Sequence, residues 1–140
     1  MADYVIDSSS VLAFAFGEPG ADIVVRIAGD DGNRLSISSV NLAEVLAKLA
    51  DNGIPADAAA EILSPLNLDE VPFDHAQAEI SAKLRTLTRR AGLSLGDRCC
   101  LGLASFRKVA VLTADRKWLD VADDLGIKAI ITRPEPTLRH

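Results

Sequence analysis

The chain has 140 residues, enough for one domain with a buried core and too few for two of ordinary size. Hydrophobic residues make up 49% and aromatic residues only 4%, which calls for a core of Ala, Val, Ile and Leu and for helices packed on a sheet. The net charge of −5 argues against a general nucleic-acid coat protein, but not against a nucleic-acid enzyme whose metal ions supply positive charge.

Taken in order, Tyr4 to Asp7 reads as a short buried strand ending on a carboxylate. Ser8, Ser9 and Ser10 offer N-cap chemistry for a helix through Val11 to Phe16. That run is far too short to span a bilayer, and no basic leader precedes it. The expectation is a cytoplasmic protein without signal peptide or membrane segment. Gly17 to Gly20 is a break, and Ala21 to Ala28 a second helix. Leu35 to Ser38 alternates and reads as strand two. Val40 to Ala50 is helical up to Asn52 and Gly53, and Pro55 opens a helix that runs to about Leu63.

Leu68 to Phe73 reads as strand three. Asp74 caps the next helix, which carries Ile80, Leu84, Leu87 and Ala91 at helical spacing until Gly92 stops it. The stretch LSLGDRCCLGLASFRKVAVLTAD, Leu93 to Asp115, is a helix with Asp97 in its first turn, then a buried strand from Ala110 to Thr113 with Asp115 just past its end. A short helix around Trp118, a helical turn from Val121 to Leu125 and a last strand from Lys128 to Ile131 follow. Residues 1–133 form the domain. Residues 134–140, with Pro134 and Pro136, form a tail. Cys99 and Cys100 are adjacent on a helix and point about 100° apart, so they read as two small buried hydrophobes in a reducing compartment, not as a disulfide.

Alternating strands and helices indicate α/β architecture, with helices on both faces of a mainly parallel sheet of four to five strands. Ligands in such sheets bind at the carboxyl ends of the strands, where strand order reverses. If the first strand is central and the fourth lies beside it, Asp7, Glu44, Asp97 and Asp115 converge on one rim. Each acid also has a structural explanation. Asp7, Asp97 and Asp115 sit at helix starts, where capping and the helix dipole favour a carboxylate. Glu44 points away from the large apolar stripe of its helix and has Lys48 one turn on, so a solvated ion pair explains it; periodicity does not settle its role. Together, clustered acids repel one another unless cations hold them, and oxygen donors without His or Cys suit Mg²⁺ or Mn²⁺. Such a site commonly acts on phosphates.

The stretches YVIDSS, NLAEVL, LSLGDRCCLGLA and VLTAD, in this order and spacing, resemble the four signature stretches of PIN-domain ribonucleases, in particular the VapC toxins of bacterial toxin–antitoxin pairs. The resemblance covers nearly the whole chain. It implies a three-layer α/β/α sandwich, usually a homodimer. Asp7, Glu44, Asp97 and Asp115 would be the metal-binding and catalytic acids, with Ser9 and Thr113 supporting them by hydrogen bonds. The implied activity is Mg²⁺-dependent endoribonuclease cleavage, neutralised by a cognate VapB-like antitoxin. Arg85, Arg89 and Arg90, with Arg98, Arg116 and Lys117 beside the acids, are candidates for guiding the RNA backbone; a solvated basic face is the alternative.

Two other functions compete. An aspartyl phosphotransfer or phosphatase domain would carry a doubled Asp-x-Asp at strand one, where this chain has Asp7, Ser8 and Ser9. A non-catalytic binding module would use the acids only as caps. The N-terminal half is also rich in apolar residues, including Val11, Leu12, Phe14, Phe16, Leu46, Leu49, Ile54, Ile62 and Leu63. A groove between the early helices for an amphipathic antitoxin segment is therefore expected.

Overall fold

The computed structural model describes residues 2–135. Five strands, β1 (Asp3–Ile6), β2 (Arg34–Ser38), β3 (Asp69–Val71), β4 (Ala110–Thr113) and β5 (Ala129–Ile131), form one sheet in the order β3-β2-β1-β4-β5, with every pairing parallel. β1 is central, with Val5 opposite Ser36 of β2 on one side and Val111 of β4 on the other.

Helices cover both faces, which is why β1 and β4 carry apolar runs rather than apolar–polar alternation, and why the serines of β2 are buried. On one face α1 (Ser8–Ala15), α2 (Ala21–Gly29), α3 (Ser39–Asp51) and α4 (Ala56–Leu63) meet the sheet, burying Val11, Val24, Val45 and Leu49 against Ile6, Ile37 and Leu112. On the other face α5 (His75–Leu87), α6 (Leu95–Arg107) and α7 (Trp118–Asp124) bury Leu84, Leu101, Leu103 and Trp118 against Val5 and Val111. Adjacent residues of β1, Val5 and Ile6, thus serve opposite cores. Cys99 and Cys100 are fully buried free thiols in α6, as expected.

Several local expectations need correction. The three serines after Asp7 do not precede the first helix; they are its first turn, and none of their hydroxyls caps it: those of Ser8 and Ser10 reach Glu44 and Thr132, and that of Ser9 bonds to the Asp7 carboxylate. β3 is only three residues long, with Pro72 just beyond it. α5 ends at Leu87, short of Gly92. The Thr88 hydroxyl bonds back to Leu84 C=O, and a 3-10 turn over Arg89–Ala91 takes Ala91 out of the helical stripe. The helix at Trp118 and the turn at Val121 are one continuous helix. β5 starts at Ala129. Most of the tail expected at 134–140, with Pro136, lies outside the described residues. Among those described, no helix is long and apolar enough to cross a membrane.

Candidate active site

Strand order reverses between β1 and β4, neighbours in space that are far apart in sequence. Their carboxyl ends bring Asp7 and Thr113 together, and the Asp7 N–H donates to Leu112 C=O at 2.8 Å. Asp7 is the N-cap residue of α1 yet makes no side-chain cap. Its carboxylate instead receives two hydroxyl protons on one oxygen, from Ser9 Oγ at 2.6 Å and from Thr113 Oγ1 at 3.0 Å. Backbone N–H groups fill the hydroxyls' acceptor role: Ala114 donates to Ser9 Oγ at 3.0 Å and Asp115 to Thr113 Oγ1 at 3.1 Å. The two hydroxyls lie 3.3 Å apart with no proton left to share, so they act as a joint grip on Asp7 Oδ2. Burial, which leaves Asp7 5% exposed, pushes its carboxyl up from 3.8 to about 6. The Ser9 and Thr113 hydrogen bonds oppose that shift, and the Asp97 charge adds to it.

Glu44 reaches the rim from the first half of α3. Ser8 Oγ and Asn41 Nδ2 each donate to its Oε1 at 2.9 Å. Fully buried Asn41 also donates to Gly96 C=O at 3.0 Å, which pins α3 to the first turn of α6. The Glu44 carboxylate lies over Gly96 so closely that a methyl group there would overlap it, with Cδ only 2.6 Å from the added carbon.

Asp97 sits in a capping box. The Ser94 N–H donates to its Oδ2 at 3.0 Å, while the Asp97 N–H donates to Ser94 Oγ at 3.1 Å. Asp115 accepts from the Lys117 N–H at 3.0 Å on Oδ1. Of these two acids Asp97 performs the capping that its position suggested, whereas the Asp115 carboxylate bonds only to the N–H of Lys117, the residue before α7, whose start has no side-chain cap. The second oxygens of both acids, and Oε2 of Glu44, have no hydrogen-bond donor among the described residues. Nor does any Lys or Arg pair with the four acids: the ion pairs among the described residues are Arg34–Asp69, His75–Glu79 and Arg116–Glu135.

The structure gathers three of the acids around the first turn of α6. The Asp97 charge acts on Asp7, and the charges of Asp7, Asp97 and Glu44 all act on the Cys100 thiol beneath them, which burial holds well above its ordinary range. Asp115 lies just past β4, its backbone N–H donating to the Thr113 hydroxyl that also bonds to Asp7. As placed, no three acidic side chains among the described residues close on a single ion, because each is turned to its own hydrogen bond. The donor set nevertheless fits a hard divalent cation: oxygen ligands only, an unclaimed oxygen on three of the acids, and no cationic side chain in competition. Closing on an ion asks Glu44 and Asp97 to rotate away from those local bonds.

The arginines separate into two groups. Arg85, Arg89 and Arg98 line one cleft between the end of α5 and the start of α6. Arg116 instead pairs with Glu135 at 3.4 Å and donates to Arg133 C=O at 3.2 Å. Sequence reasoning missed Ser8, Asn41 and Gly96 as site residues. Asn41 stands three residues before Glu44, a spacing that places two side chains on one helix face.

The sequence model of the family described as PIN domain matches residues 4–124. No curated protein matches the chain in sequence. Solved structures with a similar fold include a toxin–antitoxin complex from Klebsiella pneumoniae, with TM-score 0.71 and 15% identity over 92% of this chain and 97% of that one. A DNA-bound VapBC from Salmonella typhimurium has TM-score 0.71 and 18% identity over 94% and 99% of the two chains. VapBC-5 from Mycobacterium tuberculosis, a member of the VapBC family of toxin–antitoxin systems, has TM-score 0.59 and 21% identity over 94% and 99%.

Proposed function

The chain belongs to the PIN-domain family, and from that premise we propose that it is a VapC-like toxin, a Mg²⁺- or Mn²⁺-dependent endoribonuclease held inactive by an antitoxin. What supports this reading is that Asp7, Glu44 and Asp97 lie around the first turn of α6, with Asp115 just past β4, and that among the described residues no Lys or Arg pairs with any of them. When bound, the divalent ion supplies charge for the phosphate oxygens and lowers the pKa of water. The chain's own residues hold the donors. Ser9 and Thr113 fix one oxygen of Asp7, Ser8 and Asn41 fix one oxygen of Glu44, and the first turn of α6 fixes Asp97.

The antitoxin belongs to the same proposal, as does a homodimer. Most of the early apolar residues are absorbed by the core: Val11, Leu49 and Leu63 are buried, and Phe14, Ile54 and Ile62 pack against them. What remains is a groove of about 400 Å³ over α3 and α4, lined by Leu42, Leu46, Ala60, Leu63 and Leu68. An amphipathic helix fits such a groove, and an Arg following it would reach for the acidic rim.

The capping performed by Asp97, with the local turn bond of Asp115, favours one other reading, a protein whose acids are structural alone. Purified protein with single-stranded RNA separates the two. Cleavage should need Mg²⁺ or Mn²⁺ and stop with a chelator, and Asp97→Asn should abolish it while leaving the fold intact. An Asn variant that cuts at the wild-type rate would sink the assignment.

A further inference from the structure

One cationic cluster stands outside the acidic rim. A cleft of about 190 Å³ opens between the C-terminal end of α5 and the N-terminal turn of α6, lined by Arg85, Thr88, Arg89, Gly92, Leu93 and Arg98. No acidic residue lines it, and none of its three arginines takes part in an ion pair among the described residues. Arg98 is the unusual member. It is only 9% exposed, and its Nε is buried with no hydrogen-bond partner. Burying an Nε–H without an acceptor is costly, because that group gives up water and gains no bond in return. Of the other groups in the cleft, the Thr88 hydroxyl has already donated its proton to Leu84 C=O. The donors left for a ligand are those of the guanidiniums, whose planar fork matches a phosphate.

We infer that this arginine cleft is a phosphate subsite that takes a backbone phosphodiester of the RNA strand beside the one under attack. The identity of the strand rests on the nuclease reading above. Arg98 directly follows Asp97 in the first turn of α6, and adjacent helical residues point about 100° apart, so the cleft opens next to the acids rather than among them. A strand that lays one phosphate over the acids carries further phosphates past either side. On a chain of net charge −5, the cleft offers such a neighbour concentrated positive charge.

The test uses the full chain in the presence of a chelator, so that it reads binding and not cleavage. Inorganic phosphate at constant ionic strength should raise the melting temperature of wild type saturably. Arg98→Met should melt higher than wild type without phosphate, since it no longer buries an N–H without a partner, and should not respond to phosphate. A fluorescent RNA oligonucleotide with a 5′-hydroxyl, which offers internal phosphodiesters only, should bind Arg98→Met about ten- to hundredfold more weakly. Its salt dependence should be shallower by roughly 0.7 in log K against log salt for each phosphate that the variant leaves unneutralised. The double variant Arg85→Ala/Arg89→Ala, altered only at exposed positions, should weaken both ligands in the same direction and guards against misfolding of Arg98→Met.

Wild-type-like binding of phosphate and RNA by both variants would overturn the subsite. A phosphate response abolished in the variants with RNA affinity unchanged would overturn the RNA assignment and leave a small anion or an acidic peptide as the ligand. Asp97→Asn separates this inference from the nuclease reading: it should stop cleavage and keep this binding. RNA binding that depends on Arg98 in a wild type unable to cleave would support the subsite while the nuclease reading fails.

Discussion

Asp7 carries a conflict between stability and chemistry. It is almost fully buried, and its carboxyl is pushed up to about 6 from 3.8, mainly by desolvation. A folded-state value above the unfolded one means that the native state binds more protons between the two. Stability from this group is therefore greatest below about 3.8 and is lost as pH rises through about 6, by on the order of 3 kcal/mol. Asp7→Asn keeps an acceptor for Ser9 and Thr113 but carries no charge to desolvate. In the presence of a chelator the variant should be more stable than wild type near neutral pH, with the gap closing toward pH 4, while RNA cleavage is lost. Urea denaturation of both proteins at the two pH values measures this. A gap of equal size at both would mean that Asp7 is not the group responsible.

At the level of elements, the meeting of α3 with α6 decides where Glu44 sits. Gly96 occupies the first turn of α6, where alanine would favour the helix by about 1 kcal/mol. The added methyl would fall on the Glu44 carboxylate, the far end of a flexible side chain that can swing aside. Gly96→Ala should therefore keep the fold and its stability yet displace one acid, lowering cleavage about a hundredfold, the cost of a misplacement of roughly 1 Å. Circular dichroism and a cleavage assay together check this, and a wild-type rate would remove Glu44 from the site.

The packing of α3 on α6 also shows where sequence reasoning ended. Short apolar runs located β1 and β4, alternation located β2, and turn chemistry located most helix ends, because those are local signals. Topology alone placed Asp7, Asp97 and Asp115 on one edge. Glu44 stayed ambiguous because periodicity tells which side chains leave a helix's apolar stripe, not which neighbouring helix they meet. The serines of α1 looked like caps for the same reason: their partners Glu44, Thr113 and Thr132 lie between 36 and 122 residues away. The arginine cleft was visible only as scattered basic residues, three of which α5, the 3-10 turn after it and α6 bring together.

At the scale of the whole molecule, the two cores share one sheet, and the end of the chain is tied to its beginning at Thr132, just past β5. The Thr132 N–H donates to Thr113 C=O at 2.8 Å, and its hydroxyl meets Ser10 Oγ of α1 at 2.7 Å, both side chains fully buried. Gly20, at the start of α2, lies directly under Thr132 C=O with a φ of 104°, so a Cβ there would strike backbone that cannot move aside. The last edge strand is therefore held against the first two helices by polar and steric contacts as well as by its pairing with β4. Thr132→Val removes one hydroxyl and leaves that of Ser10 buried without its partner, at a cost of about 1–3 kcal/mol. Ser10→Ala should cost a similar amount. In the double variant both polar groups are gone and the desolvation penalty with them, so its destabilisation should be well below the sum of the two single effects. Chemical denaturation of the four proteins gives the coupling directly. Because the tie joins α1 to β5 across a single sheet, each variant should still unfold in one transition, with its midpoint shifted and its slope unchanged. Additive effects would show that the Ser10–Thr132 hydrogen bond does not hold the edge. A separate early transition in Thr132→Val would show that β5 unfolds independently of the rest.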